Sequence, residues 1–339
     1  MEVDKSPNRA TNTSTRNSMM ETERASPRYA EIDLWDSSDV LEAMIEGQFV
    51  AVAAVRAARS ALARAVLDMQ ARLECGGRLI YAGAGTSGRL AVQDGAELMP
   101  TFSWPNERLL LLIAGGSEAL LRAVEGAEDQ AGHAETLVGH HQIGKDDVFI
   151  AVAASGTTPF TVSCLREAKK RGALTIGIAN NPDTPLLLEA DHPILLETGS
   201  EPIAGSTRMK AGTAQRIALN LLSSLLMIRL GRVYGGLMVD VQAANAKLAR
   251  RSERMLLELS RRSGEEVQQA LRTANGSVKL AALLLKGCDL REAEAALDRA
   301  GGQLRVAMAI VEGGSAHPLQ PQDSVQSQDD AAPKEPQSH

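Results

Sequence analysis

The chain has 339 residues, a formal net charge of −6 and 44% hydrophobic residues, enough for two domains, or one large domain with appendages, around a substantial core. Aromatic residues are only 3%, so the core must be built from Ala, Val, Leu and Ile, and so few rings argue against stacking platforms for single-stranded nucleic acid. The mild acidity gives no general attraction to nucleic acid or to an anionic membrane. Cys75, Cys164 and Cys288 form no C-x-x-C pair, and their odd number argues against a closed disulfide framework. They read as buried small hydrophobes in a reducing, cytoplasmic setting. Residues 1–30 lack the apolar segment of a secretory signal, and no uninterrupted run of about 18 apolar residues predicts a transmembrane helix.

Residues 1–19 are rich in Asn, Ser, Thr and Arg without periodicity and read as a disordered extension. A long helical pattern runs from Ser38 to Leu73, with Val52, Val55, Leu62, Val66, Met69 and Leu73 on one face; Gly76-Gly77 ends it. Short apolar runs follow at Leu79–Ala82, Leu109–Ala114, Val148–Ala153, Leu174–Ala179 and Ile194–Leu196. Several are apolar at successive positions, as in strands covered on both faces, which predicts an α/β, doubly wound parallel sheet of five strands. Helical patterns then cover Thr207–Leu230, Val239–Ser260, Glu265–Thr273, Ser277–Lys286, Leu290–Ala300 and Gln303–Val311. From about Ala316 the chain is rich in Gln, Asp, Pro and Ser and again reads as disordered.

Ligands of doubly wound sheets bind outside the carboxyl ends of the strands. Three predicted strands end there in polar loops: Gly83–Arg89, Gly115–Glu118 and Ser155–Pro159. The first reads Gly83-Ala84-Gly85-Thr86-Ser87-Gly88, a G-x-G-x-x-G pattern that suggests a dinucleotide. A dinucleotide site also expects an acid at the tip of the second strand to hold the ribose, and that strand ends Ile113-Ala114-Gly115-Gly116. Neither glycine loop is followed by lysine, so a Walker-type nucleotide loop is excluded. Thr86 and Ser87 in the first loop, with Ser155, Thr157 and Thr158 in the third, instead place hydroxyls at two helix starts. Together with Gly85, Gly156 and the backbone N–H groups they could surround one phosphate monoester. Their other available duty is helix capping, and the two are compatible.

The stretches 83–102, 123–129 (AVEGAED), 153–160 (AASGTTPF), 180–186, 205–223 (GSTRMKAGTAQRIALNLLS) and 237–251 resemble N-acetylmuramic acid 6-phosphate etherases, whose phosphosugar-binding fold is the SIS domain. The likeness spans roughly residues 20–312 and includes the start Thr22-Glu23-Arg24; glucokinase regulatory proteins are relatives of that family. It implies cleavage of the D-lactyl ether of N-acetylmuramic acid 6-phosphate by elimination and hydration, with no metal or redox cofactor. Glu97 and Glu128 match the family's two catalytic glutamates: Glu97 as the acid/base at the C2 proton and the lactate oxygen, Glu128 assisting ring opening or hydration. Arg208 and Lys210 could supply charge to the phosphate or the lactyl carboxylate, or be plain surface charge. Asn245 and Lys247 could approach the site from a neighbouring subunit. The six histidines show no metal-ligand spacing, and adjacent His140 and His141 would point to different helix faces.

The sequence departs from the family pattern at Ala91, Met99, Thr157, Asn180, Ser200 and Gly236. Thr157 stands where arginine is common, which touches substrate preference more than reaction type. The resemblance further implies a homodimer with shared sites. The domain reading is a SIS domain with an N-terminal helix at 20–235, C-terminal helices at 236–315 and a tail at 316–339. A non-catalytic sugar-phosphate sensor and an aldose–ketose phosphosugar isomerase remain as alternative functions: the first leaves the glutamates without a task, the second lacks the 205–223 and 237–251 segments.

Overall fold

The computed structural model describes residues 20–241 and 246–313. The expected disordered termini, 1–19 and 316–339, lie outside that range, as do Asn245 and the side chain of Lys247. Two compact units are present, one up to Arg232 and one from Val233.

The first unit begins with helices α1 (Ser37–Ala57) and α2 (Arg59–Glu74). It continues with β1 (Leu79–Gly83), α3 (Gly85–Ala96), α4 (Leu98–Phe102), β2 (Leu109–Ile113), α5 (Ala131–His140), β3 (Val148–Val152), α6 (Pro159–Lys170), β4 (Leu174–Ala179), α7 (Pro185–Glu189), β5 (His192–Leu195) and α8 (Lys210–Arg229). The strands form one parallel sheet in the order β2-β1-β3-β4-β5. β1, β3 and β4 are buried at every position, which is why they read as continuous apolar runs.

Alternate strand residues serve opposite faces, because successive Cβ atoms point to opposite sides of a sheet. Leu79, Tyr81, Val148, Ile150 and Val152 join one core with α2 and α8, through residues such as Val66, Met69, Leu219 and Leu222. Ile80, Ala82, Phe149 and Ala151 join a second core with α5, α6 and α7, through Val138, Phe160, Leu165 and Leu186. Burying side chains of this size stabilises by about 1.5–3 kcal/mol each, so both faces of the sheet are committed to helices.

Three local expectations need correction. The long first helix is two, divided at Ala58, and Val52 is 54% exposed whereas Val55, Leu62, Val66, Met69 and Leu73 are buried. Past the division α2 packs on the sheet beside α8, whereas the apolar residues of α1 divide between a buried side (Ala51, Val55) and an exposed one (Phe49, Val52). The helix expected from Val239 is observed over Ala246–Ser260; Val239 and Asp240 are instead a turn that follows the strand Leu237–Met238. Cys164 is buried, which pushes its thiol up to about 12, but Cys288 is half-buried and Cys75 exposed.

The second unit opens with an antiparallel pair, β6 (Val233–Tyr234) and β7 (Leu237–Met238). Helices α9 (Ala246–Ser260), α10 (Gly264–Thr273), α11 (Val278–Leu284), α12 (Leu290–Arg299) and α13 (Leu304–Val311) follow. Ser263 with Glu266, and Asp289 with Glu292, form capping boxes that fix the starts of α10 and α12. Leu256, Val267, Ala281, Leu283, Ala293 and Ala307 meet in its core, and Lys279 pairs with Asp240 at 2.8 Å. Among the described residues, no helix is long and apolar enough to cross a membrane.

One ion pair ties the start of β1 to the turn before β3. Asp147, 5% exposed, accepts from Arg78 Nε at 3.0 Å, Arg78 Nη2 at 2.7 Å, and the backbone N–H groups of Arg78 and Gly144 at 3.0 Å. Burial alone would raise its carboxyl, but these hydrogen bonds and the Arg78 charge together hold it below the usual range. A depressed carboxyl contributes stability above its unfolded pKa and loses it as pH falls through the folded value. Asp147→Ala is expected to lower unfolding free energy by about 3 kcal/mol at pH 7, because a partly buried guanidinium loses its partner. In denaturant titrations the gap to the wild type should hold from pH 8 to about 5 and narrow below about 4.

Candidate functional site

In the observed strand order, the chain winds one way from β1 to β2 and the other way from β1 to β3. The crevice at the carboxyl ends of these strands is where ligands of such sheets bind. The loops leaving β1 and β3 open there side by side.

Helix α3 starts directly after β1. Gly85, at φ +53°, turns the chain, and Thr86 and Ser87 occupy the first helical turn. The first N–H groups of a helix have no partner within it, and Ala84 at the N-cap offers no side-chain bond. Helix α6 is also uncapped by side chains: its N-cap is Thr158, followed by Pro159. The Thr158 hydroxyl instead lies 3.3 Å from Ser155 Oγ, which also accepts from the Thr157 N–H at 3.2 Å. The capping duty available to these hydroxyls is therefore not exercised, and two helix N-termini face one space.

That space is a cavity of about 370 Å³. Its wall contains Gly85, Thr86, Ser87, Ser155, Thr157, Thr158 and Glu128, all singled out from the sequence. Glu128 sits on the 3-10 turn Ala127–Asp129, whose Ala127 is buried in the core beside α6. The loop leading to it is held from α3, where Arg89 donates to the carbonyls of Ala119 at 2.7 Å and Arg122 at 3.2 Å. Gly156 stands behind the wall rather than in it. Its φ is +71°, and a Cβ there would lie 2.2 Å from Thr184 Oγ1.

Three expected site residues are elsewhere. Glu97 is not on the helix that leaves the phosphate loop but at its C-cap, exposed, in a helical conformation that leads into α4. At a rise of about 1.5 Å per residue it stands about 16 Å beyond Thr86 along the helix axis. Arg208 is exposed and does not line the cavity. Lys210 is 5% exposed at the first position of α8, its stem against Gly47 of α1. Burial lowers its ammonium, opposed by the charge of Glu201. Glu201, itself fully buried, accepts the backbone N–H groups of Lys210 at 3.2 Å and Ala211 at 2.9 Å. Burial raises the Glu201 carboxyl against the pull of those bonds.

The structure adds Glu23, Asp129 and Thr207 to the wall. Thr207 lies in the GSTRMK stretch and Glu23 in the TER start, so both were visible as motif members but carried no assigned task. The wall as a whole offers hydroxyls, backbone donors and carboxylates, with no Lys or Arg among its described residues. Such a site can seat an anion on helix N-termini and hydroxyls while placing carboxylates beside the rest of the ligand. Among the described residues, no three or more His, Cys, Asp or Glu side chains cluster so as to hold a metal.

Gly156→Ala tests whether the α6 loop depends on that glycine. The positive φ and the contact with Thr184 predict a loss of more than about 1 kcal/mol, read as a lower Tm in calorimetry.

Comparison with known proteins points the same way. The profile of the glucokinase regulatory protein N-terminal SIS domain matches residues 61–169, and the SIS domain profile matches residues 131–225. The N-acetylmuramic acid 6-phosphate etherase of Deinococcus radiodurans is 52% identical over 285 residues, covering 84% of this chain and 93% of its own. Those of Streptomyces avermitilis and Synechocystis sp. are 43% and 42% identical, each covering 85% of this chain and 93% and 94% of their own.

Proposed function

This chain belongs to the N-acetylmuramic acid 6-phosphate etherase family, and we propose that it is a carbon–oxygen lyase that converts N-acetylmuramic acid 6-phosphate to N-acetylglucosamine 6-phosphate and D-lactate. The observation that carries the proposal is one cavity in which two uncapped helix starts, six hydroxyls and Glu128 converge. The 6-phosphate binds at the N-termini of α3 and α6, with Thr86, Ser87, Ser155, Thr157 and Thr158 as donors. Gly85 and Gly156 shape those turns.

The ether at C3 has a poor leaving group. Once the sugar opens to its aldehyde, the C2 proton is α to a carbonyl and a carboxylate can remove it. The C2–H electron pair forms the C2–C3 double bond, the C3–O bond breaks, and the lactate oxygen takes a proton. Water then adds its hydroxyl to C3 and a proton to C2. Glu97 is the acid/base of the elimination, and Glu128 assists ring opening or hydration. Arg208 is the cation nearest in sequence to Thr207 of the cavity wall and serves the lactyl carboxylate. The burial of Lys210 beside Glu201 argues for a structural task instead.

Glu97 lies too far along α3 to reach C2 of a sugar whose phosphate, only a few bonds away, sits at Thr86 and Ser87 of the same chain. We therefore place Glu97 in the cavity of a second copy. A homodimer is supported by α1, whose outer face exposes Leu41, Ile45, Phe49 and Val52 at 60, 49, 70 and 54%. A row of this kind on a helix marks an interaction surface, and a two-fold axis would pair it with itself.

Incubation with N-acetylmuramic acid 6-phosphate should release D-lactate; formation of a ketose, or binding without turnover, would replace the lyase reading by an isomerase or a sensor. Glu97→Gln and Glu128→Gln should each abolish lactate release with the fold intact. When the two variants are co-expressed, mixed dimers should regain one complete site, giving roughly a quarter of wild-type turnover. Lack of recovery would place Glu97 and Glu128 in the same subunit's site.

A further inference from the structure

Glu23 is a carboxylate of the cavity wall that the proposed reaction leaves without a task. It ends a 3-10 turn, Glu21–Glu23, and this short strap is fastened by its neighbour. Thr22 is fully buried. Its N–H donates to Asn181 Oδ1 at 3.3 Å, and its hydroxyl accepts from Asn181 Nδ2 at 2.9 Å. The same Nδ2 donates to the carbonyl of Ala154, a cavity residue, at 3.0 Å. The Thr22 carbonyl accepts the Gly205 N–H at 3.1 Å, and a Cβ on Gly205 would lie 2.9 Å from Glu23 Oε2. The strap is thus bound to the loop after β4 and to the segment entering α8, and through Asn181 to the loop after β3. A latch of buried, mutually satisfied groups holds its conformation far better than an exposed turn could.

The Glu23 carboxylate has no cation or hydrogen-bond donor paired with it among the described residues. A carboxylate is acceptor-only, and beside a phosphate it would be repelled. It is suited to the part of a sugar phosphate that donates hydrogen bonds, its hydroxyls and amide N–H. Resting on the phosphosugar reading above, we infer that Glu23 is a specificity residue whose carboxylate accepts hydrogen bonds from the sugar moiety, and that the Thr22–Asn181 latch exists to hold it there. Breaking a hydrogen bond to a charged acceptor inside a ligand site weakens binding by about tenfold or more.

The test is calorimetric titration of wild type, Glu23→Gln and Glu23→Ala with two probes, inorganic phosphate and N-acetylglucosamine 6-phosphate. Glu23→Ala should weaken the sugar phosphate by about tenfold or more and leave inorganic phosphate equal or tighter, since a negative charge is removed near it. Glu23→Gln, which keeps one acceptor oxygen, should fall between. Equal losses for both probes would mean that the strap only supports the phosphate seat, and unchanged affinities that Glu23 touches nothing; either overturns the inference. Failure of the wild type itself to bind N-acetylglucosamine 6-phosphate would overturn the phosphosugar reading first, and this inference with it.

Discussion

The close approach of Gly88 to Gly83 is the contact on which the site depends. A Cβ on Gly83 would lie 2.9 Å from the Cα and N of Gly88, and one on Gly88 would lie 2.7 Å from the Gly83 carbonyl oxygen. Any side chain at either position would push α3 off the end of β1. Glycine at both lets the first turn of the helix press on the strand tip, so Thr86 and Ser87 emerge next to the β3 loop. Ser87, next to this contact, is 7% exposed and lines the cavity. The G-x-G-x-x-G spacing thus encodes helix–strand packing rather than a particular ligand.

A second constraint is the charge economy of the cavity. Three carboxylates, Glu23, Glu128 and Asp129, share a wall with no lysine or arginine among its described residues. What this wall offers an anion is neutral donors and helix dipoles, whose pull is short-ranged and directional. That favours a ligand whose anionic end is small and whose remainder carries hydroxyls and amides. It also makes geometry matter more than net attraction, consistent with a chain whose overall charge is −6.

The sheet was legible because its strands are almost wholly apolar, Thr175 of β4 being the one hydroxyl amino acid among them besides Tyr81: the runs from Leu79, Leu109, Val148 and Leu174 start where β1 to β4 start. The two hydroxyl loops were legible for the same reason, since each follows such a run directly. Val52 was misplaced because periodicity shows that a helix has an apolar face and not which partner covers it. The sequence offers Lys210 two places, a charge for the ligand or plain surface charge, and its burial beside Glu201 is neither, because a sequence cannot tell a buried lysine from an exposed one. Glu97 was recognisable by its motif, but its distance from Thr86 is a property of an almost unbroken helix that the motif does not state. Glu23 needed the latch to Asn181, a contact between residues 159 positions apart.

Lys210 and Glu201 explain why the N-terminus of α8 is not free to bind an anion as those of α3 and α6 are. Its N-terminus comes close to the site: a Cβ on Gly212 would lie 3.6 Å from Thr86 Cγ2. By geometry alone it would be a third anion-binding end. The buried Glu201 carboxylate already occupies that role, taking the first two N–H groups, while the Thr207 carbonyl takes the Gly212 N–H at 2.9 Å. Lys210, buried beside it, offsets the charge that this internal anion brings into the core. Helix α8 is thereby spent on fixing the segment that carries Thr207 and receives the Thr22 strap. Only α3 and α6 keep free N-terminal N–H groups beside the cavity, which is the basis for proposing their N-termini as the phosphate seat.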